Sequence, residues 1–233
     1  MSRPVVRLAP ILVVLSLSGQ ARAHDFWVEP QGGAFLLRYG HRGGDALPLD
    51  AGKLRSLSCR KDQGAPENLL RTAVISPKQL RLAASCAVVS AFFDGGFWSL
   101  TPDGEKQLPK NQLPDAVKAW RSKQFAKWVD SRSPLAQQPL GDEFEIVPVT
   151  ELAKARTGNK VSFRVLLAGQ PVAGAVLAMG HKPLGETDDR GEVRVMIRAS
   201  DVESVSASYR RAVNTAEADS EVFEASLTFE VLR

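Results

Sequence analysis

The stretch Glu221-Val222-Phe223-Glu224-Ala225-Ser226-Leu227-Thr228-Phe229-Glu230-Val231-Leu232 alternates between two kinds of side chain. Every odd-numbered position from Phe223 to Val231 is apolar, whereas Glu, Ser or Thr fills most of the even-numbered positions. Successive side chains of a β-strand point to opposite faces, so this pattern predicts a strand with one buried face. The chain is therefore expected to build sheets that pack on a hydrophobic core.

The same period of two residues recurs upstream, in segments 160–167, 192–198 and 204–209. Segments 169–175 and 187–191, rich in Gly, Pro and Asp, have the composition of tight turns between such strands. We therefore predict that residues 144–233 form a small β-sandwich domain of the immunoglobulin or prealbumin-like kind.

The region from Phe35 to Trp98 also consists of short candidate strands, many of them rich in β-branched or aromatic residues and bounded by Gly, Pro, Asn or Asp. They are segments 35–39, 54–60, 71–75, 87–93 and 96–100. The connections between them are too short for the helical crossovers that parallel strands need. An antiparallel sandwich is expected here, within a first domain of residues 24–130, so the fold class is all-β with two sandwiches.

Residues 114–130 depart from this pattern. Val117, Trp120, Gln124 and Trp128 recur at a helical spacing after Pro114 and Asp115, which suit a first helical turn, so we predict one helix near residues 115–130. Its basic side chains are either a solvated face or a docking surface for a partner or an anionic membrane; they are Lys118, Arg121, Lys123 and Lys127. Residues 131–143, with Pro134, Pro139 and Gly141, are predicted to be the linker between the two domains.

The first 23 residues resemble an export signal. Arg3 and Arg7 precede an apolar run from Leu8 to Leu17, and Ala21 and Ala23 are the small residues that a signal peptidase accepts. A retained membrane anchor is the alternative, but spanning a bilayer takes about 20 apolar residues and this run is half as long. We expect cleavage after Ala23 and a periplasmic mature protein.

Charge and cysteine content restrict the function further. The chain holds 30 Lys and Arg and 26 Asp and Glu; the predicted signal accounts for three arginines and no acid, leaving 27 basic and 26 acidic side chains. This balance argues against binding to nucleic acid. Cys59 and Cys86, the only cysteines, are expected to pair in an oxidising compartment, which would contribute about 3 to 3.5 kcal/mol. Two free thiols or a soft metal site are the alternatives.

The three histidines are the candidate metal ligands. After cleavage, His24 would be the first residue and would offer its α-amine and its ring Nδ1 to the same ion. His41 lies in a glycine-rich turn after a candidate strand, and His181 follows Gly180 at another strand end. Such a nitrogen set suits Ni(II), Cu(II) or Zn(II) and is poor for Mg or Ca. For each histidine, an ordinary surface position is the alternative.

Other residues give weaker signals. Asp25, Glu29, Asp45 and Asp94 are carboxylates that could complete a metal shell or orient an imidazole. Asp94-Gly95-Gly96-Phe97-Trp98 is either a chemical motif or a β-bulge that carries two core aromatics. The chain has no GxSxG, HExxH or P-loop and no suitably placed GxGxxG, so we expect a binding protein rather than an enzyme.

Four motifs together resemble a known family: His24-Asp25-Phe26-Trp27, Tyr39-Gly40-His41, the segment 94–98, and Gly141 followed by Glu145-Ile146-Val147-Pro148. They are similar to an exported domain-of-unknown-function family that includes periplasmic components of nickel-uptake systems (NikK-like). The resemblance covers nearly the whole mature chain. It implies an all-β, two-part protein that captures a transition metal beside a metal transporter of the inner membrane, with His24 and His41 as ligands.

Three functional hypotheses follow. The first is a module that binds Ni(II), or else Co(II), Cu(II) or Zn(II), and delivers the ion to an importer; ligand type alone does not choose among these metals. The second is a copper enzyme of the histidine-brace kind, which would use the same amine and imidazoles for oxidative chemistry. The third is a structural or adhesive module that binds sugar or protein, with incidental histidines.

Overall fold

The computed structural model describes residues 24–232, apart from residues 43, 45, 77, 78 and 181. The predicted signal sequence, Asp45 and His181 lie outside the described residues. Among the residues that are described, no helix has the length and hydrophobicity needed to cross a membrane.

The described chain forms seventeen strands and four short 3-10 helices. The strands are β1 (Asp25–Gln31), β2 (Ala34–Gly40), β3 (Leu54–Arg60), β4 (Glu67–Asn68), β5 (Val74–Ser76), β6 (Gln79–Leu82), β7 (Val88–Thr101), β8 (Gly104–Lys106), β9 (Lys118–Val129), β10 (Phe144–Pro148), β11 (Lys160–Leu167), β12 (Gln170–Pro171), β13 (Val176–Met179), β14 (Lys182–Glu186), β15 (Glu192–Met196), β16 (Val202–Ala212) and β17 (Ser220–Glu230). The 3-10 helices are Ala51–Lys53, Lys110–Gln112, Pro134–Gln137 and Leu152–Lys154. The predicted all-β class is confirmed.

Nine strands form one central sheet in the order β14-β13-β16-β17-β9-β7-β3-β4, with β8 paired to β7. Strand β17, whose alternation is the clearest in the sequence, lies in the middle of this sheet. It pairs antiparallel with β16 and parallel with β9, where Ser220 to Phe229 align with Trp120 to Val129. Strands from both sides of the predicted linker therefore belong to a single sheet.

Two smaller sheets pack on the central sheet, one on each face. The first has the order β1-β2-β6-β5, and the second contains β10, β11, β12 and β15. Strand β9 contributes to both hydrophobic cores because its side chains alternate between the faces. Its Ala126 and Trp128 belong to the core under the first small sheet, whereas Phe125 and Val129 belong to the core under the second. The protein is thus a three-layered β structure in which two sandwiches share their middle layer.

The helix predicted near residues 115–130 is wrong, because Lys118–Val129 is strand β9. This strand lies between β7 and β17 and is buried on both faces from Lys123 to Val129, so its apolar residues do not alternate regularly with polar ones. A strand with two buried faces carries apolar residues in adjacent positions, and here those residues also matched a helical spacing. The physical cause of the error is therefore burial on both sides.

The basic residues of β9 do not form a uniformly solvated face. Lys123 and Lys127 are buried. The Lys127 ammonium lies 2.9 Å from Glu145, and the Lys123 ammonium lies 2.9 Å from both Glu143 and Glu221. These ion pairs connect β9 to Glu143, at the end of the predicted linker, and to Glu145 and Glu221 beyond it.

The predicted linker, residues 131–143, carries the chain from the central sheet to the second small sheet. It contains the 3-10 helix Pro134–Gln137, whose Ala136 lies in the second core. Backbone amides of Leu140 and Gly141 donate to the carboxylate of Glu145. Cys59 and Cys86 form the predicted disulfide beside the first core.

Candidate functional site

A cleft forms where the first small sheet ends and leaves part of the central sheet uncovered. Strand β1 crosses above the central sheet, and the Ser226 hydroxyl donates to the carbonyl of Phe26 at 2.7 Å. One step further along, the side-chain amide of Gln124 donates to the carbonyl of His24 at 2.7 Å. Beyond His24 the face of the central sheet is the floor of a cleft of about 970 Å³.

His24 lines this cleft, and His41 lies next to His24. Asp25 pairs with Gly40 at the end of the β1–β2 hairpin, so the residues one step beyond lie opposite each other. The two imidazole centroids are 5.1 Å apart. Each histidine extends the inward-facing row of its strand, which in β1 continues as Phe26 and Val28.

Tyr39 fixes the His24 ring. Its hydroxyl lies 3.2 Å from Nδ1 of His24, and the centroids of the two rings are 5.3 Å apart. Burial raises the pKa of Tyr39 to about 12, and the nearby Glu224 carboxylate acts in the same direction. The phenol therefore stays protonated over the physiological range and holds one nitrogen of His24.

The electrostatic environment favours a neutral His24. Burial is the largest cause that lowers the pKa of its imidazole, and charge on His41 lowers it further, while Asp25 and Glu105 oppose the shift. A neutral imidazole keeps the lone pair that a metal ion needs. The pair of histidines can thus accept an ion without first losing a proton from His24 at neutral pH.

The turn that carries His41 is fixed by the next residue, Arg42. Its backbone amide donates to Asp25 at 3.2 Å, and its guanidinium donates to the Thr228 hydroxyl at 3.1 Å. The guanidinium also lies 5.4 Å from the ring centroid of Trp27. Arg42 therefore ties the turn to both β1 and the central sheet.

Gln124 and Glu224 line the cleft next to His24. The Gln124 amide nitrogen donates to the His24 carbonyl and, at 2.7 Å, to a carboxylate oxygen of Glu224. Its oxygen, Oε1, is buried and has no hydrogen-bond partner among the described residues. Leaving a buried acceptor unpaired costs about 1 to 3 kcal/mol, so this atom is a candidate contact for a ligand.

Burial raises the pKa of Glu224 to about 7, and the charge of Asp25 adds to the shift, whereas the hydrogen bond from Gln124 and the charge of Arg210 oppose it. Near neutral pH this carboxyl group therefore exists in both protonation states. It can donate a hydrogen bond as well as accept one.

The far part of the cleft floor is aromatic. Trp98 of β7 lies directly opposite Trp120 of β9 in the register of the central sheet, and both line the cleft. A β-bulge at Asp94–Gly96 precedes Trp98, whose indole nitrogen donates to the Gly95 carbonyl at 3.2 Å. The 94–98 segment thus places an aromatic side chain in the cleft, in addition to a bulge.

The chain matches the family model described as "Domain of unknown function (DUF4198)" over residues 21–208. The chain belongs to the DUF4198 family. No curated protein and no solved structure gives a significant match. The matched region of this DUF4198 chain contains His24, Tyr39, His41 and Gln124, whereas Glu224 follows it.

The predicted metal ligands of the DUF4198 chain are partly brought together. His24 and His41 are adjacent, and His181 lies outside the described residues. Within the described part of the chain, no group of three or more His, Cys, Asp or Glu side chains is arranged to hold a metal ion. Among the candidate carboxylates, Glu29 pairs with Arg38 and Asp94 pairs with Arg121.

Sequence reasoning missed Gln124, Glu224 and Trp120 as cleft residues. Gln124 and Trp120 were assigned to the predicted helix, and Glu224 to the polar face of a half-buried strand. These three residues meet only through the pairing of β9 with β17, which lies 100 residues away in the chain. The only sequence feature that could have pointed to one of these residues was the charged side chain of Glu224 within the most regular predicted strand.

Proposed function

We propose that this DUF4198 protein is a periplasmic carrier that binds a transition-metal ion, with Ni(II) as the leading candidate, and supplies an uptake transporter of the inner membrane. The observation that carries the proposal is the 5.1 Å separation of the His24 and His41 rings, at the residue that follows the candidate cleavage site. Two imidazoles fit Ni(II), and equally Co(II), Cu(II) or Zn(II). After cleavage following Ala23, the α-amine of His24 would supply a third nitrogen.

The choice of nickel and of the compartment rests on further support. The motifs at residues 24–27, 39–41 and 94–98 resemble those of exported proteins from nickel-uptake systems. The Cys59–Cys86 disulfide fits an oxidising compartment such as the periplasm. We infer a carrier rather than an enzyme, because the proposed site consists of ligands and the chain lacks the common catalytic motifs.

Two ligand arrangements are possible at His24, and Tyr39 distinguishes them. If the α-amine and Nδ1 bind the ion together, the Tyr39 hydroxyl must leave Nδ1, which it contacts at 3.2 Å. If Nε2 binds the ion instead, Nδ1 keeps its proton and donates it to Tyr39, as second nitrogens of metal-bound histidines commonly do. We favour the first arrangement in the cleaved protein, since it adds a donor to a site with two imidazoles.

The test is calorimetric titration with Ni(II) of two proteins, one that begins at His24 and one that retains Ala23. We expect micromolar or tighter binding to the protein that begins at His24, and at least roughly tenfold weaker binding to the protein that retains Ala23. Equal affinities would exclude the α-amine as a ligand. Intact mass of the protein exported by cells fixes its first residue in the same experiment.

Substitutions test the two imidazoles separately. His24→Ala and His41→Ala should each weaken Ni(II) binding by at least roughly tenfold, because each removes one nitrogen ligand. Lys61→Ala, at an exposed position away from the cleft, is the matched control and should bind as the parent protein does. Unchanged affinity in both histidine variants would refute the carrier proposal at this site.

A further inference from the structure

We propose that the cleft beside His24 binds a neutral saccharide, whose ring stacks on Trp98 and Trp120 while its hydroxyl groups bond to Gln124, Glu224 and Arg210. This site uses the open face of the central sheet and does not depend on the metal proposal. The occupant follows from three properties of the cleft: an aromatic floor, an unpaired buried acceptor, and balanced charge.

The floor of the cleft is a continuous surface because its residues share one face of five paired strands. Phe93, Gln124, Glu224, Ser208 and Val176 are successive partners from β7 to β13, and all of them line the cleft. Because one side of this sheet face is open, a ligand can lie along it. At about 970 Å³, the space is in the range of ordinary small-molecule sites and is large enough for more than one sugar ring.

The aromatic part of the floor is held in place. Trp98 is fixed by its hydrogen bond to Gly95, and the Arg210 guanidinium lies 5.9 Å from the centroid of Trp120. Both indoles are half-buried, so each keeps an accessible part. The face of an aromatic ring carries partial negative charge, which attracts the weakly positive C–H groups on one side of a sugar ring.

Gln124 supplies the most specific observation. The side chain is 3% exposed, and both of its amide hydrogens are used, one by His24 and one by Glu224. The His24 carbonyl can only accept, so the end of the amide that faces it must be the nitrogen. Oε1 is thereby left as an acceptor that has no partner within the described residues, beside an open cleft. A ligand hydroxyl is a donor that would satisfy it.

The remaining polar groups select against a charged ligand. Three carboxylates and three basic groups line the cleft: Asp50, Glu105, Glu224, Lys53, Lys118 and Arg210. A strongly ionic ligand would meet like charge as well as unlike charge. A polyhydroxylated neutral ligand needs both donors and acceptors, which this set and the hydroxyls of Ser122 and Ser208 provide.

The test uses the metal-free protein that begins at His24, kept in a chelator. It is screened on an array of neutral oligosaccharides, and hits are titrated by tryptophan fluorescence and calorimetry. Trp120→Ala should weaken binding of the hit at least roughly tenfold, because one stacking surface is lost. Ser208→Tyr, at an exposed position of the floor, should obstruct the cleft without disturbing either core.

Two matched variants separate the possible outcomes. Val202→Tyr lies on the same strand, β16, is 42% exposed and is outside the cleft, so it should bind the sugar normally. His41→Ala does not touch the cleft lining and should lose Ni(II) but keep the sugar, which distinguishes failure of this proposal from failure of the carrier proposal. Absence of any array hit, or binding that both Trp120→Ala and Ser208→Tyr leave unchanged, would overturn the saccharide site. Tight binding of choline that depends on Trp120 would also overturn it, in favour of a cationic ligand.

Discussion

The two faces of the central sheet differ in how completely the outer sheets cover them. On one face, Phe223, Ala225, Leu227 and Phe229 of β17 are all buried in the second core. On the other face of the same strand, Val222 and Glu224 line an open cleft, while Ser226 and Thr228 lie under β1 and the Arg42 side chain. One strand thus contributes its odd-numbered residues from Phe223 to Phe229 to a core, and the even-numbered residues Val222 and Glu224 to the lining of a cleft.

The difference shows that a cleft can form where an outer sheet covers only part of one face of the central sheet. The first small sheet shields the disulfide end of the central sheet and ends at His24 and Tyr39, which line the cleft, and at the neighbouring His41. In an isolated hairpin these residues would lie at the open end, where the two strands separate most easily. Because the central sheet continues beneath and beyond them, His24 and Tyr39 form one wall of the cleft and the central sheet forms its floor.

The largest expected effect comes from the covered face. Replacing Lys127 by Met should lower the free energy of unfolding by about 3 to 5 kcal/mol, because it leaves the buried carboxylate of Glu145 without its cation. The Lys127 and Glu145 side chains are 5% and 1% exposed. Urea denaturation measures the change.

Its control is Lys154→Met, which removes the exposed partner of Glu151 and should leave stability unchanged. The double variant Lys127→Met/Glu145→Leu should recover most of the loss, since it removes both charges. If Lys127→Met loses no more unfolding free energy than Lys154→Met, water must reach the Lys127–Glu145 pair.

A second prediction concerns proton binding on the open face. Glu224 has a folded pKa of about 7, raised by burial from 4.5, so the folded state holds its proton more tightly than the unfolded state. The group's contribution to stability is fully present below about pH 4.5, declines as pH rises, and is lost above about pH 7.

Glu224→Gln should flatten that decline by about 1 to 3 kcal/mol when unfolding free energies are compared at pH 4.5 and pH 8. Glu230→Gln, on the same strand outside the cleft, serves as the control and should reproduce the parent's pH dependence. An identical pH profile for Glu224→Gln and the parent protein would contradict the raised pKa.

A third prediction concerns the β-bulge at Asp94–Gly96, which precedes Trp98, and its expected effect on stability is smaller. A Cβ atom at residue 95 would lie 2.8 Å from both Cβ and Oγ of Ser122, which is closer than the two strands allow. Gly95→Ala should therefore destabilise the protein by about 1 to 2 kcal/mol in thermal or urea unfolding. It should also shift the fluorescence of the displaced indole.

The matched variant is Gly95→Ala/Ser122→Gly, which removes the clashing side chain and should restore most of the lost stability. If the double variant is no more stable than Gly95→Ala alone, the close approach to Ser122 is not the cause.

The smallest expected effect distinguishes the ligand arrangements at His24. If Nδ1 and the α-amine bind Ni(II), Tyr39→Phe should leave affinity unchanged or slightly improved in the protein that begins at His24, because it removes a competitor for Nδ1. In the chain that retains Ala23, the α-amine is part of a peptide bond and we expect Nε2 to bind instead, so Tyr39→Phe should weaken Ni(II) binding roughly tenfold. Calorimetric titration of both proteins measures the two changes, and a tenfold loss in the cleaved protein would exclude Nδ1 as the ligand.

Sequence patterns predicted the β class because the alternation of side chains is a local property. They predicted the pairing of the cysteines because the chain has only two and begins with a segment that resembles an export signal. The alternation of β17 is visible because only one of its faces carries apolar residues throughout. The segment of β9 gave a false helix because both of its faces are buried from Lys123 to Val129, which removes the alternation. His24 and His41 were proposed as ligands from their positions, one after a candidate cleavage site and one in a glycine-rich turn. The pairing of β1 with β2, which brings them together, was not predicted.

The cleft was not predictable in the same way. The cleft combines residues from strands that are distant in sequence: Trp120 and Gln124 in β9 and Glu224 in β17. No local pattern predicts that β9 pairs parallel with β17. The unpaired oxygen of Gln124 depends on Gln124 in β9, on Glu224 in β17 and on His24, which precedes β1. Such features become visible only when the register of the sheet is known.

The parallel pairing of β9 with β17 also bears on how the protein folds. Each aligned pair from Trp120 with Ser220 to Val129 with Phe229 joins residues that are 100 positions apart. Contacts of this separation require a long loop to close before they yield any stabilisation, which slows folding. The middle of the sheet therefore forms only after residues 220–230 are present, so a chain that leaves the cytoplasm unfolded would assemble its central layer after nearly all of it has crossed.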